Sequence, residues 1–214
     1  GNFPAPYDHS YFVCEPVHNL VHSDLLTPRG ATYVAQRPFD KAEFLASTDG
    51  WFKPVFTTVG PDGALYVVDY YRKYVEHPDY VPEGMEGKFD LRAGAGQGRI
   101  YRVLHSSSKT VPKPRLKDTS SAGLVGQLSN PNLWWRTTAQ RLLVERQDAS
   151  VVPQLEGLAQ QSPAPQGRAH ALWTLEGLGH LQAKLVLTAL SDPSPMIREQ
   201  AIRLSETFFT PPGG

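Results

Sequence analysis

Apolar positions fall into two regimes along the chain. Up to about residue 104 they alternate over short runs separated by turn residues, the period-two signature of half-buried strands. From about residue 122 they recur at helical spacing, with leucine and alanine dominant. Runs of β-branched and aromatic residues between Tyr11 and Ala35, interrupted by Glu15-Pro16 and Thr27-Pro28-Arg29-Gly30, predict a strand, strand, turn, strand meander. Phe39 to Thr48 reads as a short helical or irregular piece. Val55-Phe56-Thr57-Thr58-Val59 and Ala64-Leu65-Tyr66-Val67-Val68-Asp69, joined by Gly60-Pro61-Asp62-Gly63, predict a hairpin. A last strand, Gly98 to Leu104, follows a 28-residue excursion from Tyr71; Tyr70, Tyr71, Tyr74 and Tyr80, at its start and within it, favour order.

In the second half, Leu128-Ser129-Asn130-Pro131 through Leu142 aligns with Leu190-Ser191-Asp192-Pro193 through Leu204 at an offset of 62 residues, and Arg168-Ala169-His170-Ala171 lies midway. The repeating unit is therefore near 31 residues, room for two short helices. Asn130 or Asp192 is expected to cap the following helix, with proline in its first turn. Ala139, Ala171 and Ala201 are expected where neighbouring helices approach, and Trp134, Trp135 and Trp173 in the core between them.

Composition supports the same division. All nine tyrosines precede residue 102, and 16 of 23 leucines follow residue 110. The expected fold class is α+β: an antiparallel β domain over residues 1–105, a linker over 106–121 and helical repeats over 122–210. The 21 basic and 21 acidic residues cancel, which removes the electrostatic case for nucleic acid as a partner. No segment has the run of roughly 18 apolar residues a spanning helix needs. The chain starts at Gly1-Asn2 without methionine, which suggests a mature piece or a cut-out.

Three groups of residues invite chemistry. Cys14, His18 and His22 are metal-ligand types, but on one strand the two histidines would stand about 13 Å apart, too far for a single ion. The favoured reading is no metal, with Cys14 a small buried hydrophobe and the histidines hydrogen-bonded or exposed. Asp69, Tyr70, Arg72, Glu76 and His77 follow the hairpin strand. They could position a polar substrate or supply a general base, or else form an Asp–Arg pair that fixes the long loop, with His77 a turn residue. Gly94-Ala95-Gly96-Gln97-Gly98-Arg99 lacks phosphate-loop spacing and reads as a flexible approach to a strand. The chain has no Cys-x-x-Cys-His, hence no site for covalent haem.

Phe12-Val13-Cys14-Glu15-Pro16-Val17-His18-Asn19-Leu20-Val21-His22, Glu43-Phe44-Leu45 through Val55, and Gly60-Pro61-Asp62-Gly63 through Arg72 resemble the closing part of a β-propeller. The family is the membrane-bound dehydrogenase domain of planctomycetes and verrucomicrobia, related to quinoprotein glucose and sorbosone dehydrogenases. Glu76-His77-Pro78 and Gly98 to Val103 continue the likeness over residues 9–104. The Asp/Asn-Pro helix starts and Arg-x-x-Ala spacing of residues 122–207 resemble short HEAT-type repeats, which commonly follow that propeller. The resemblance implies terminal propeller blades followed by an α-solenoid of HEAT-like helix pairs, in a periplasmic or cell-surface protein.

About 100 residues supply roughly two four-stranded blades, so a ring cannot close within the chain. The resemblance thus implies a C-terminal segment of a sugar or alcohol dehydrogenase that is incomplete alone and binds no cofactor by itself. Pyrroloquinoline quinone (PQQ) and calcium would belong to the longer parent. Expected partners are the remaining blades and an electron-transfer protein or haem module. The competing reading is a non-catalytic module that binds protein or glycan.

Overall fold

The computed structural model describes residues 3–30, 32–75, 77–85, 87–108 and 113–209. The chain divides into two compact units near residue 111, β-rich before and helical after, and the α+β class expected from the sequence is the one observed. Residues 109–112 of the expected linker, and Glu76, lie outside the described residues.

In the first unit β1 (Ser10–Glu15) and β2 (Leu20–Arg29) pair antiparallel, with Cys14 opposite Val21 and Val13 opposite His22. β3 (Thr32–Gln36) follows β2 in the sheet, which completes the expected meander. The stretch from Phe39 to Thr48 is not helical: its only regular element is β4 (Leu45–Ala46), paired with Leu20 and Val21. The reason is that Phe44 is drawn into an aromatic cluster, with its ring centroid 4.6 Å from Phe12 and 5.2 Å from Tyr7.

The second sheet is β5 (Pro54–Val59), β6 (Leu65–Asp69) and β7 (Arg99–Val103), antiparallel in that order. The predicted hairpin forms, and its turn is fixed by chemistry local to it. Gly63 adopts φ +77, Gly60 N–H donates to the Ala64 carbonyl, and Asp62 accepts from Ala64 N–H. Arg102 on β7 then closes a 2.6 Å ion pair with Asp62. Along β6 the period of two sends Leu65, Val67 and Asp69 inward. The core they enter is small: Val21, Phe52, Leu65 and Val67 are buried, with Phe3, Phe12, Phe44, Leu45 and Val103 packed against them. Each such buried side chain contributes about 1.5–3 kcal/mol.

The second unit contains three helix pairs: α1 (Ser121–Gln127) with α2 (Leu133–Arg146), α3 (Val152–Gln161) with α4 (Pro165–Gly177), and α5 (Ala183–Ala189) with α6 (Pro195–Ser205). Ala139, Ala171 and Ala201 are fully buried in one continuous core, as the repeat predicts. Trp134, Trp135 and Trp173 pack against that core without being sealed in it. Trp173 keeps its indole N–H on Gln200.

The recurring arginine has a defined task. Arg136, Arg168 and Arg198 each donate through Nη1 to the carbonyl six residues earlier, on Asn130, Ser162 and Asp192, at 2.6, 2.6 and 2.7 Å. Each thereby ties the loop between paired helices to the first turn of the second helix. Helix starts differ from expectation. Asn132, not Asn130, caps α2 by accepting from Trp134 N–H, and Ser194, not Asp192, holds the N-cap position of α6. Asn130 and Asp192 accept instead from the N–H two residues on, the Asx-turn geometry. Pro131 and Pro193 consequently lie before their helices, and Pro165 and Pro195 occupy the first turn.

Candidate functional site

The residues singled out at the end of β6 converge on the base of the 71–98 excursion. Asp69 is 1% exposed although its type is rarely buried. Its Oδ1 accepts from Lys53 N–H and Tyr71 N–H, both at 2.9 Å. Its Oδ2 has no hydrogen-bond donor among the described residues and lies 3.6 Å from Nε of Arg99. Asp69 and Arg99 are register partners across β6 and β7, so sheet geometry itself brings the pair together.

Arg72 does not pair with Asp69, the partner that sequence reasoning offered for the loop. Its Nη1 donates to the carbonyls of Tyr70, Tyr71 and Gly94, the last at 2.7 Å. Its guanidinium lies 4.2 Å from the Tyr70 ring centroid, and that of Arg99 lies 3.9 Å from that of Tyr71. Tyr71 has φ +47, an uncommon conformation for a residue with a side chain, and is held there by the Asp69 bond to its N–H. Gly94 has φ +93, and a Cβ at that position would run into the Tyr71 carbonyl. The glycine-rich run therefore makes a close backbone crossing at the loop base rather than only a flexible approach.

Asp69, Tyr70, Arg72, Gly96, Gly98 and Arg99 line an open pocket of about 400 Å³. A carboxylate sealed from water with its Oδ1 committed to two backbone donors anchors the loop base. The exposed chemistry here is Tyr70 and the two stacked guanidiniums, which suits holding a polar group in place. His77 is not part of this pocket: it is exposed and sits 3.6 Å from Asp79 in a turn. Glu76 lies outside the described residues.

The Cys14, His18 and His22 array is pulled apart by the hairpin. His18 lies in the exposed turn beside Glu15, and Cys14 is half-buried on β1, where burial raises its thiol pKa. Among the described residues no group of three or more metal-ligand side chains is close enough to hold an ion. His22 instead bridges two carboxylates, Nδ1 to Glu43 at 2.6 Å and Nε2 to Asp24 at 3.2 Å. The Glu43 hydrogen bond, acting against burial and aided by Asp24, holds the imidazole above its ordinary pKa. Arg37 joins the group 3.3 Å from Glu43. Sequence reading missed this cluster; the available signal was the alternation of His22 and Asp24 on one face of β2.

No curated protein and no solved structure matches the chain at a meaningful level. One family model does, that of a domain of unknown function designated DUF7133, over residues 1–107, which contain both sheets, the Asp69 anchor and the whole 71–98 excursion. With half of its length matched, the chain belongs to the DUF7133 family.

Proposed function

We propose that the chain is the closing segment of a quinoprotein-like sugar or alcohol dehydrogenase, catalytically incomplete alone, whose helical repeats serve assembly or docking to an electron-transfer partner. The observation that carries this reading is the outward face of the second sheet. Phe56, Val68 and Ile100 form one cross-strand row on it, and Phe56 and Ile100 are 58% and 66% exposed. A three-stranded sheet with an apolar outer row suits a propeller blade, which packs face to face against its neighbours and has four strands. PQQ and calcium would then be bound by the assembled ring, in a periplasmic or cell-surface setting.

The test is dye-linked oxidation of sugars and alcohols by the intact parent polypeptide, with and without added PQQ and calcium. Turnover that depends on both supports the reading. Absence of both turnover and cofactor binding rejects it in favour of a protein- or glycan-binding module, a reading that exposed Leu133, Leu187 and Ile202 on the helical unit also suit.

A further inference from the structure

A second cavity shares no lining residue with the pocket at Asp69. It has a volume of about 340 Å³ and is walled by Val17, Tyr74, Val75, Tyr80, Val81 and Phe89, with Lys53 and Lys73 also lining it. Most of this wall comes from the 71–98 excursion, whose length is otherwise unexplained by the sheet it interrupts. Tyr74 and Phe89 meet edge to face at 5.1 Å, which gives the apolar wall a fixed aromatic element.

Lys53 is the unusual member. It is 8% exposed, and its backbone is held at both ends, its N–H on Asp69 Oδ1 and its carbonyl accepting from Tyr70 N–H at 2.8 Å. No hydrogen bond or ion pair joins its ammonium to another described residue, and the ammonium is not among the described polar atoms sealed from solvent without a partner. The stem is therefore buried while the ammonium, with its three donors, keeps an opening to solvent. Lys53 lines the cavity, and its donors are available to a ligand there. Lys73 adds a second cation at the same cavity, its Nζ 5.3 Å from the Tyr74 ring centroid and likewise without a carboxylate partner among the described residues.

The arginine pocket at Asp69 is a weaker candidate, because Arg72 spends Nη1 on three carbonyls and Arg99 is committed to Tyr71 and Asp69. At the lysine cavity neither ammonium is paired with a carboxylate among the described residues and most of the wall is apolar, which calls for a ligand with a flat apolar body and one anionic end. The volume is near the lower bound of small-molecule sites, roughly 300 Å³, and so excludes a dinucleotide.

We propose that this cavity binds a small aromatic carboxylate, its acid group on Lys53 and its ring against the Tyr74 and Tyr80 wall. The inference stands apart from the dehydrogenase reading and survives its failure. A hydrogen bond to a charged partner is worth about 1.5–3 kcal/mol, about ten- to hundredfold in affinity.

The experiment titrates the full chain with 3-phenylpropanoate and with its neutral isostere 3-phenylpropanamide, by calorimetry and ligand-observed NMR. The acid should bind at least tenfold more tightly than the amide. Lys53→Met, which keeps the apolar stem, should abolish that preference, and Val81→Trp, which fills the cavity, should abolish binding of both. Reductive methylation read by peptide mass spectrometry needs no variant and should show Lys53 shielded by the acid but not by the amide. Equal binding of acid and amide overturns the proposal, as do an undiminished preference in folded Lys53→Met, failure of both probes to bind, or Lys53 labelling that the acid leaves unchanged.

Discussion

Replacing Ser162 by aspartate should stabilise the helical unit, because one repeat arginine is already buried without the acceptor its counterpart enjoys. Arg168 grips Asp192 of the following repeat through Nε and Nη2, both at 2.8 Å, with the two side chains 10% and 11% exposed. Arg136 occupies the equivalent place one repeat earlier, yet its Nε is sealed from solvent with no acceptor among the described residues. Burial lowers the pKa of that guanidinium.

The residue corresponding to Asp192 is Ser162, in Ser162-Pro163-Ala164-Pro165 against Asp192-Pro193-Ser194-Pro195. Ser162 already lies 3.2 Å from Ser129, beside the loop that Arg136 ties, and the two hydroxyls fill the room left by the missing Cβ of Gly167. The new carboxylate would gain two charge-assisted bonds at about 1.5–3 kcal/mol each. Those values are already net of desolvation, and against them stand the two serine bonds lost, with Ser129 and to the Ala164 carbonyl, about 0.5–1.5 kcal/mol each, so the gain is about 2–3 kcal/mol at mid-range. For a unit of roughly 100 residues each kcal/mol moves the melting midpoint by about 4–8 °C.

Thermal and urea unfolding of Ser162→Asp, Arg136→Met and the double variant give the coupling directly. Asp192→Asn serves as the opposite control and should cost about 3–5 kcal/mol if the existing pair is broken. A Ser162→Asp protein with a lower midpoint, or one stabilised equally when Arg136 is methionine, would refute the assignment of Arg136 as an arginine in want of a carboxylate.

Asp69→Ala deprives Lys53 N–H and Tyr71 N–H of a charged acceptor and should cost about 3–6 kcal/mol, whereas Asp69→Asn keeps Oδ1 and should cost less than half of that; urea midpoints and amide exchange at residues 53 and 71 separate the two. Gly94→Ala must relieve both φ +93 and the collision with the Tyr71 carbonyl, so it should lose at least about 1–2 kcal/mol and speed amide exchange at the loop base. Burial, then the charge of Arg136, holds His170 down at about 4 in the folded state against 6.5. Its contribution is therefore complete above pH 6.5 and erodes as pH falls toward 4, and His170→Gln should flatten that acid limb in pH-dependent melting. His22 has the opposite sign. Its raised folded pKa gives stability that is complete below 6.5 and is lost as pH rises through the folded value, and His22→Gln should remove that alkaline slope from the melting curve.

The repeats were legible because their alanines and arginines answer to constraints local to each unit: Ala139, Ala171 and Ala201 where helices touch, and an arginine reaching six residues back. The helix starts were misplaced because Asn130 and Asp192 suit either an N-cap or an Asx turn, and only the backbone decides which. At the candidate site Asp69, Tyr70 and Arg72 were picked out from their place after the hairpin strand. Arg99 was missed as the partner of Asp69 because it lies 30 residues away, across a pairing that requires β7 to be laid against β6 in register. The Glu43 contact to His22 was hidden for a similar reason, since it depends on a two-residue strand too short to leave a pattern. Lys53 carried no signal at all, because nothing in its neighbours Phe52 and Pro54 announces a lysine held inside.

Arg72 ties a knot at the neck of the 71–98 excursion, its Nη1 gathering carbonyls from both entering and leaving strands of chain. With the neck cinched by backbone atoms, which every amino acid possesses, the residues beyond it are released from the work of holding the sheet together. The excursion can thus exchange its tip, and with it the shape of what it encloses, while the underlying β scaffold stays the same. Diversification of the family should concentrate on the far side of that knot.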